Sequence, residues 1–297
     1  MNIVAKSACD IKQITDRINK GFHHIEIQLT NDFLMPTRNL QDYSVIHSSK
    51  DWDIQNIHMP LTKIEDVNLE YLGNSTYSSV FFNACKLAQD CALTYNHPIT
   101  LVIHCGQSLS NFKLMPSVLH DVEKILLLCM NYYPNVLFSI ENLSPCYTKK
   151  GKVVLQPTAF GENVELANYF NDLFSTDKFH TTIDICHILM TQNLLNFLKP
   201  ESSVDSGDFT LEWYFKQNQS TVNNIHLNNI RGLGIKKMHH GASFKEANED
   251  DMQLLKEIFD LYNKYDYSCN FTLEVDELDY FDIKEAPELK KIIEKLI

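Results

Sequence analysis

The sequence predicts a (β/α)8 TIM barrel forming a single domain over residues 1–297, and three observations carry that prediction. Short apolar runs of β-like composition alternate with longer stretches whose apolar residues recur three and four positions apart, the pattern of a parallel sheet joined by crossover helices. The runs number eight, as a closed barrel of this kind requires. Six of them end on a side chain able to bind a metal: Ile54-Gln55-Asn56-Ile57-His58, Ile99 to His104, Val136 to Glu141, Thr182-Ile183-Asp184, Val222 to His226 and Phe271 to Glu274. One end of the sheet should therefore gather imidazoles and carboxylates around a single spot.

In chain order, the first strand is expected over Asn2 to Lys6, followed by a helix from about Ile11 to Asn19 closed by Gly21, and a second strand over His23 to Leu29. The third ends at His58, where Met59-Pro60 breaks it, and a helix follows over Tyr77 to Tyr95. The fourth ends at His104 before Cys105-Gly106, with a helix over Pro116 to Tyr132, and the fifth ends at Glu141. Ser144 to Glu162 reads as irregular, a loop on the catalytic face. A helix over Asn163 to Phe174 leads to the strand ending at Asp184. Residues three apart on a continuous strand point to opposite faces, so this strand must stop near Cys186 and leave His187 on the following turn. A helix over Leu211 to Gln217, the strand ending at His226, a second irregular stretch from Asn228 to Phe244, and a helix over Glu246 to Lys264 come next. The last strand ends at Glu274, and Ala286 to Ile297 closes the chain as a helix with Leu289, Ile292, Ile293 and Leu296 on one face.

Composition bounds the function. An apolar fraction of 44% and a charged fraction of 22% suit an ordinary globular protein with a full core. The formal charge of −12 weighs against a protein whose main task is gripping phosphate backbones, although a barrel can carry a local basic rim. The eight cysteines form no CxxC pair and the N-terminus shows no secretory pattern, so they read as reduced thiols of a soluble, cytoplasmic protein. No apolar run approaches the roughly 20 residues of a membrane span.

A divalent cation held by Glu141, Asp184, His226 and Glu274 would have three hard carboxylates and one imidazole, a set that suits manganese, magnesium, cobalt or zinc. His58 and His104 would face them across the mouth and bind a second ion or a substrate hydroxyl. His187 is either a further ligand or a group that orients one. Asn142 follows Glu141 and can orient a neighbouring carboxylate or a substrate oxygen. His239 and His240 either fold back over the mouth or form an exposed pair. Glu26 either points into the barrel or pairs with a surface lysine. Lys149-Lys150-Gly151-Lys152 reads as a solvated loop able to attract a phosphate.

Taken in order, Ile57-His58-Met59-Pro60, Val102-Ile103-His104-Cys105-Gly106, Ile140-Glu141-Asn142, Ile183-Asp184-Ile185-Cys186-His187, His226-Leu227-Asn228 and Leu273-Glu274 resemble the xylose isomerase-like barrel superfamily over essentially the whole chain. That superfamily includes sugar and sugar-phosphate isomerases and epimerases and the endonuclease IV enzymes. The resemblance implies one ion on Glu141, Asp184, His226 and Glu274, with Glu141 and Glu274 as catalytic groups exchanging a proton beside the carbonyl of a polyhydroxylated substrate. Endonuclease IV is also similar, adding histidines that match His58, His104 and His187 to build a three-zinc site for cutting abasic DNA. Its Asp-x-His pair, however, meets Lys237-Met238-His239 or Met238-His239-His240, the aspartate after its His-x-Asn is Asn229, and its DNA-clamping loop is at best echoed by Met35-Pro36-Thr37-Arg38. These departures and the acidic balance favour carbohydrate chemistry, with the zinc phosphodiesterase as the alternative and nucleic acid a partner under that alternative alone. A barrel that merely binds a sugar or a partner protein is a third reading, which the intact ligand set opposes.

Overall fold

A computed structural model describes residues 1–29, 40–60, 69–104, 106, 116–143, 146–149, 152–155, 161–198, 209–232 and 239–297. Eight parallel strands close into a barrel: β1 (Ile3–Ala8), β2 (His24–Gln28), β3 (Asp53–His58), β4 (Ile99–His104), β5 (Val136–Glu141), β8 (Phe179–Asp184), β9 (Val222–Leu227) and β12 (Asn270–Leu273), the last pairing with β1. Register sets the candidate ligands side by side, His104 beside Glu141 and Asp184 beside His226.

Two antiparallel hairpins stand outside the barrel. They are β6 (Cys146–Lys149) with β7 (Lys152–Leu155), and β10 (Asn229–Arg231) with β11 (His239–Ala242), and each lies in a stretch that the sequence presents as irregular. Parts of both stretches, and the Met35 to Arg38 segment, lie outside the described residues.

The helices are α1 (Ile11–Asn19), α2 (Ser75–Tyr95), α3 (Pro116–Tyr132), α4 (Glu162–Phe174), α5 (Ile185–Leu198), α6 (Leu211–Asn218), α7 (Glu249–Lys264) and α8 (Glu285–Leu296). Several begin where an acceptor side chain meets the open N–H groups of the first turn. Asp10 accepts from Lys12 and Gln13, Asn74 from Thr76, and Asn248 from Asp250 and Asp251. Helix α5 replaces the turn expected after Asp184. Its sequence, ICHILMTQNLLNFL, is apolar on nearly every side and buried through its first turn, so it lacks the one-sided stripe by which a helix is recognised in sequence.

Alternate residues of each strand face outward and build the core against the helices, among them Ile25, Ile57, Leu101, Phe138, Ile183, Ile225 and Phe271. Phe138 stacks between Phe81 and Phe179 at centroid distances of 6.1 and 5.2 Å. The inward-facing set is largely polar where barrels of this type are usually filled by branched aliphatics. Ser139 pairs with Thr182 at 2.7 Å and donates to Asn223 at 2.9 Å, Asn223 donates to Thr100 at 3.1 Å, and Thr272 donates to Asn224 at 3.0 Å. Burial leaves such groups few options but to bond one another. Among the described residues, no helix is long and apolar enough to cross a membrane.

Candidate metal centre

Every barrel strand delivers its last inward side chain to the C-terminal mouth. Glu141 sits at the middle of the group, wholly buried. Its Oε2 lies 2.9 Å from His58 Nε2 and 3.3 Å from His104 Nε2, while Oε1 lies 3.5 Å from His187 Nδ1 and 3.6 Å from His226 Nδ1. Burial would raise this carboxyl, but the imidazoles of His226, His104 and His58 outweigh burial and hold it well below the usual carboxylate range.

Asp184 ends β8 and starts α5. Its Oδ1 accepts the His187 N–H at 2.9 Å, as a helix cap does, and its Oδ2 accepts from Asn228 Nδ2 at 3.0 Å. Asn142 grips the same residue through the backbone, donating to its carbonyl at 3.1 Å and accepting its N–H at 2.7 Å. This amide therefore positions the strand end that bears the carboxylate. His187 lies past the strand end as the sequence suggests, but in the first turn of helix α5, with Nδ1 2.8 Å from the Asn142 carbonyl.

His226 Nδ1 faces Glu274 Oε2 at 2.7 Å and Asp184 Oδ2 at 3.8 Å. Neither His226 Nδ1 nor Glu274 Oε2 finds a hydrogen bond of acceptable geometry, although both are buried. The two stand 2.7 Å apart as an ion pair when the imidazole is protonated, and a cation coordinated by both is the other arrangement that can join them. Ligand atoms of Glu141, Asp184, His226 and Glu274 all lie within 4.8 Å of one another, as do those of His58, Glu141 and His226, and those of Asp184, Cys186, His187 and His240. The residues thus fit a divalent ion by donor type and by spacing.

Two residues enter the site that the sequence did not single out as site members. Glu26 is turned inward, resolving the choice left open above, with Oε2 accepting from Asn56, Asn224, Thr272 and His226 Nε2 at 3.1 to 3.3 Å. Burial would raise its carboxyl, yet His226 and Lys6 hold it down at about 2. Lys6 reaches Glu274 Oε1 at 2.5 Å. A charged residue within an otherwise strand-like run was the available signal for both, because such a charge must find a partner inside the barrel.

The two loop histidines part company. His240 stands 3.9 Å from Asp184 Oδ2 with its ring 5.0 Å from that of His187, whereas His239 is exposed and pairs with Asp276 at 2.8 Å, away from the group. The hairpin holding them docks on the chain after Glu274 through Gly241, whose carbonyl accepts from Asp276 N at 2.7 Å. Gly241 has φ +81, and a Cβ there would stand 3.1 Å from the Asp276 carboxyl, so glycine suits the position on both counts. A cavity of about 550 Å³ opens beside Lys6 and Glu274, bounded by Gln28, His240, Asp276 and Tyr280 among others. Arg17, buried, pins its wall by donating to the Tyr280 carbonyl at 2.5 Å.

The closed parallel barrel, with carboxylates and imidazoles converging at its C-terminal mouth, places the chain in the class of (β/α)8 proteins built around a polar mouth cluster. Solved (β/α)8 TIM barrels share this fold over essentially the whole chain. The chain is similar over 100% of its length to 97% of a D-tagatose 3-epimerase-like protein, at 14% identity and a TM-score of 0.58. A xylose isomerase-like TIM barrel protein from Mycobacterium smegmatis, in complex with magnesium, matches at 11% identity and a TM-score of 0.55, covering 99% of this chain and 96% of the other. A family 2 AP endonuclease from Brucella melitensis matches at 9% identity and a TM-score of 0.57, with 95% of each chain covered. No family model matches the sequence, and no curated protein matches it.

Proposed function

We propose that the chain is a divalent-metal-dependent isomerase or epimerase of a sugar or sugar phosphate, moving a proton at the carbon beside a carbonyl. The observation that carries the reading is the convergence of Glu141, Asp184, His226 and Glu274, whose ligand atoms all lie within 4.8 Å of one another at the barrel mouth. A cation bound by these four would supply the positive charge that stabilises an oxygen as it becomes anionic. Glu274 lines the cavity and is ionised at neutral pH: burial opposes ionisation, but Lys6 and His226 hold its carboxyl low. It is therefore in the state that can accept a proton from a substrate carbon. Glu141 is the second carboxylate of the exchange. Gln28, Asp276 and Tyr280 offer hydroxyl-binding groups along the cavity wall.

A phosphodiesterase of the endonuclease IV type is the second reading, favoured by the additional groups around His58 and around His187 with His240. Against it, Asn229 turns away and donates to Asp251 at 3.1 Å, so the carboxylate near His187 and His240 is Asp184 itself. Metal analysis of the purified protein with assays on ketoses and on an abasic oligonucleotide separates the two. About one ion per chain and proton exchange into a ketose support the isomerase; about three zincs and strand cleavage support the nuclease. Glu274→Gln should abolish turnover while the barrel still melts cooperatively; full activity in that variant would remove Glu274 from the chemistry.

A further inference from the structure

The barrel mouth contains an ammonium group that a metal centre does not call for. Lys6 Nζ stands 2.5 Å from Glu274 Oε1 and 3.6 Å from Glu26 Oε1, on a side chain 15% exposed. Lys6 and Glu26 are register partners on β1 and β2, so they rise from one level of the barrel. Glu26 then reaches His226 Nε2 at 3.2 Å. Two of the four candidate ligands are thereby tied to one ammonium, Glu274 directly and His226 through Glu26.

Net stability is a poor explanation for this arrangement, because the cost of taking both charges out of water offsets most of their attraction. Affinity for a cation is a poorer one, since an ammonium beside the ligands repels an incoming ion. What the geometry provides is orientation. Glu274 Oε1 is engaged by Lys6 while Oε2 is left facing His226 Nδ1, and the imidazole is turned by the carboxylate behind it.

We infer that Lys6 is a positioning residue that restricts Glu274 to one free oxygen, so that this carboxylate meets the metal through Oε2, while Glu26 fixes the ring of His226. This rests on the metal reading above. Removing the lysine opens both oxygens of Glu274 and deletes a repelling charge, so the ion should bind more tightly. Removing the Glu26 carboxylate frees the ring, so the ion should bind more weakly. Two residues that face each other at 3.6 Å are thus expected to act in opposite directions.

The test is titration calorimetry of the full chain with Mn2+ alone, with thermal melts in EDTA to verify folding. Lys6→Met should tighten binding about ten-fold, Glu26→Gln should weaken it about ten-fold or more, and Lys6→Arg should remain near the wild-type value. Should Lys6→Met fail to fold, Lys6→Gln carries the same expectation. If both variants weaken binding together, or the lysine variant binds as wild type does while Asp184→Asn binds nothing, the positioning role is overturned and the metal reading stands. A wild-type chain that binds no Mn2+ overturns both.

Discussion

Asp184→Asn separates a ligand from a helix cap, because Asp184 stands in both positions. The side chain is wholly buried, and its two oxygens accept from different donors, His187 N at 2.9 Å and Asn228 Nδ2 at 3.0 Å. Asparagine keeps the volume but has one acceptor oxygen. Whichever way its amide is turned, an N–H group then faces a buried donor, and an unsatisfied buried group costs about 1–3 kcal/mol. At about 2–4 °C per kcal/mol for proteins somewhat smaller than this one, the metal-free variant should melt roughly 5 °C below wild type. The metal adds a second, independent difference. At a concentration a hundred times its dissociation constant, an ion that binds the folded chain alone stabilises it by about 2.7 kcal/mol. Wild type should show that rise on addition of Mn2+ and lose it in EDTA, whereas Asp184→Asn should show none. Scanning calorimetry with and without the ion measures both. A variant that melts early in EDTA yet gains as much from Mn2+ as wild type would make Asp184 a cap and remove it from the ligand set.

Two further predictions concern the frame around the site. At the opposite end of the barrel, Asp53 pairs with His97 at 2.6 Å and His24 at 3.2 Å; burial opposes its ionisation, but hydrogen bonds from the two histidines hold its carboxyl low, while the Asp53 hydrogen bond, against burial, raises His97. The lowered aspartate stabilises the fold above its unfolded pKa and loses that effect as pH falls, whereas the raised histidine stabilises below its unfolded pKa and loses the effect as pH rises. Their joint contribution is therefore greatest between about pH 4 and 6.5, and Asp53→Asn should lower the melting temperature more at about pH 5.5 than at about pH 8.5; equal losses would refute the pairing. Glu277 caps α8 from outside the helix, accepting the N–H groups of Lys284, Glu285 and Ala286 at 2.8 to 2.9 Å. Glu277→Ala should cost about 1–2 kcal/mol in urea unfolding, and an unchanged midpoint would show that water replaces the carboxylate.

Sequence carries the strands well because a parallel barrel repeats one local rule. Each run alternates a core-facing side with an interior side and stops at the mouth, so His58, His104, Glu141 and Asp184 mark their own strand ends, with His226 one residue before the end of its strand at Leu227 and Glu274 one residue beyond Leu273. What escapes it is of another kind. Helix α5 hides because it is apolar nearly all round, and the two hairpins hide because Asn229–Arg231 and His239–Ala242 are short strands that pair with each other and not with the barrel. The sequence leaves Glu26 open between the barrel interior and a surface pair and gives Lys6 no role; the register of β1 against β2 sets the two side by side in the interior. His239 and His240 are chain neighbours with different surroundings, because successive residues of a strand point to opposite sides and Asp276 stands beside His239.

The polar shaft under the mouth bears on how far this barrel can change. Dispersion contacts tolerate small slips of one stave against the next, but Ser139, Thr182, Asn223 and Thr100 are joined by directional bonds that hold at one alignment. The interior works like the wards of a lock, keyed to a single setting of the staves. A chain of this design has little room to drift by gradual exchange of one aliphatic for another, and new specificities have to be won on the surrounding loops while the shaft stays as it is.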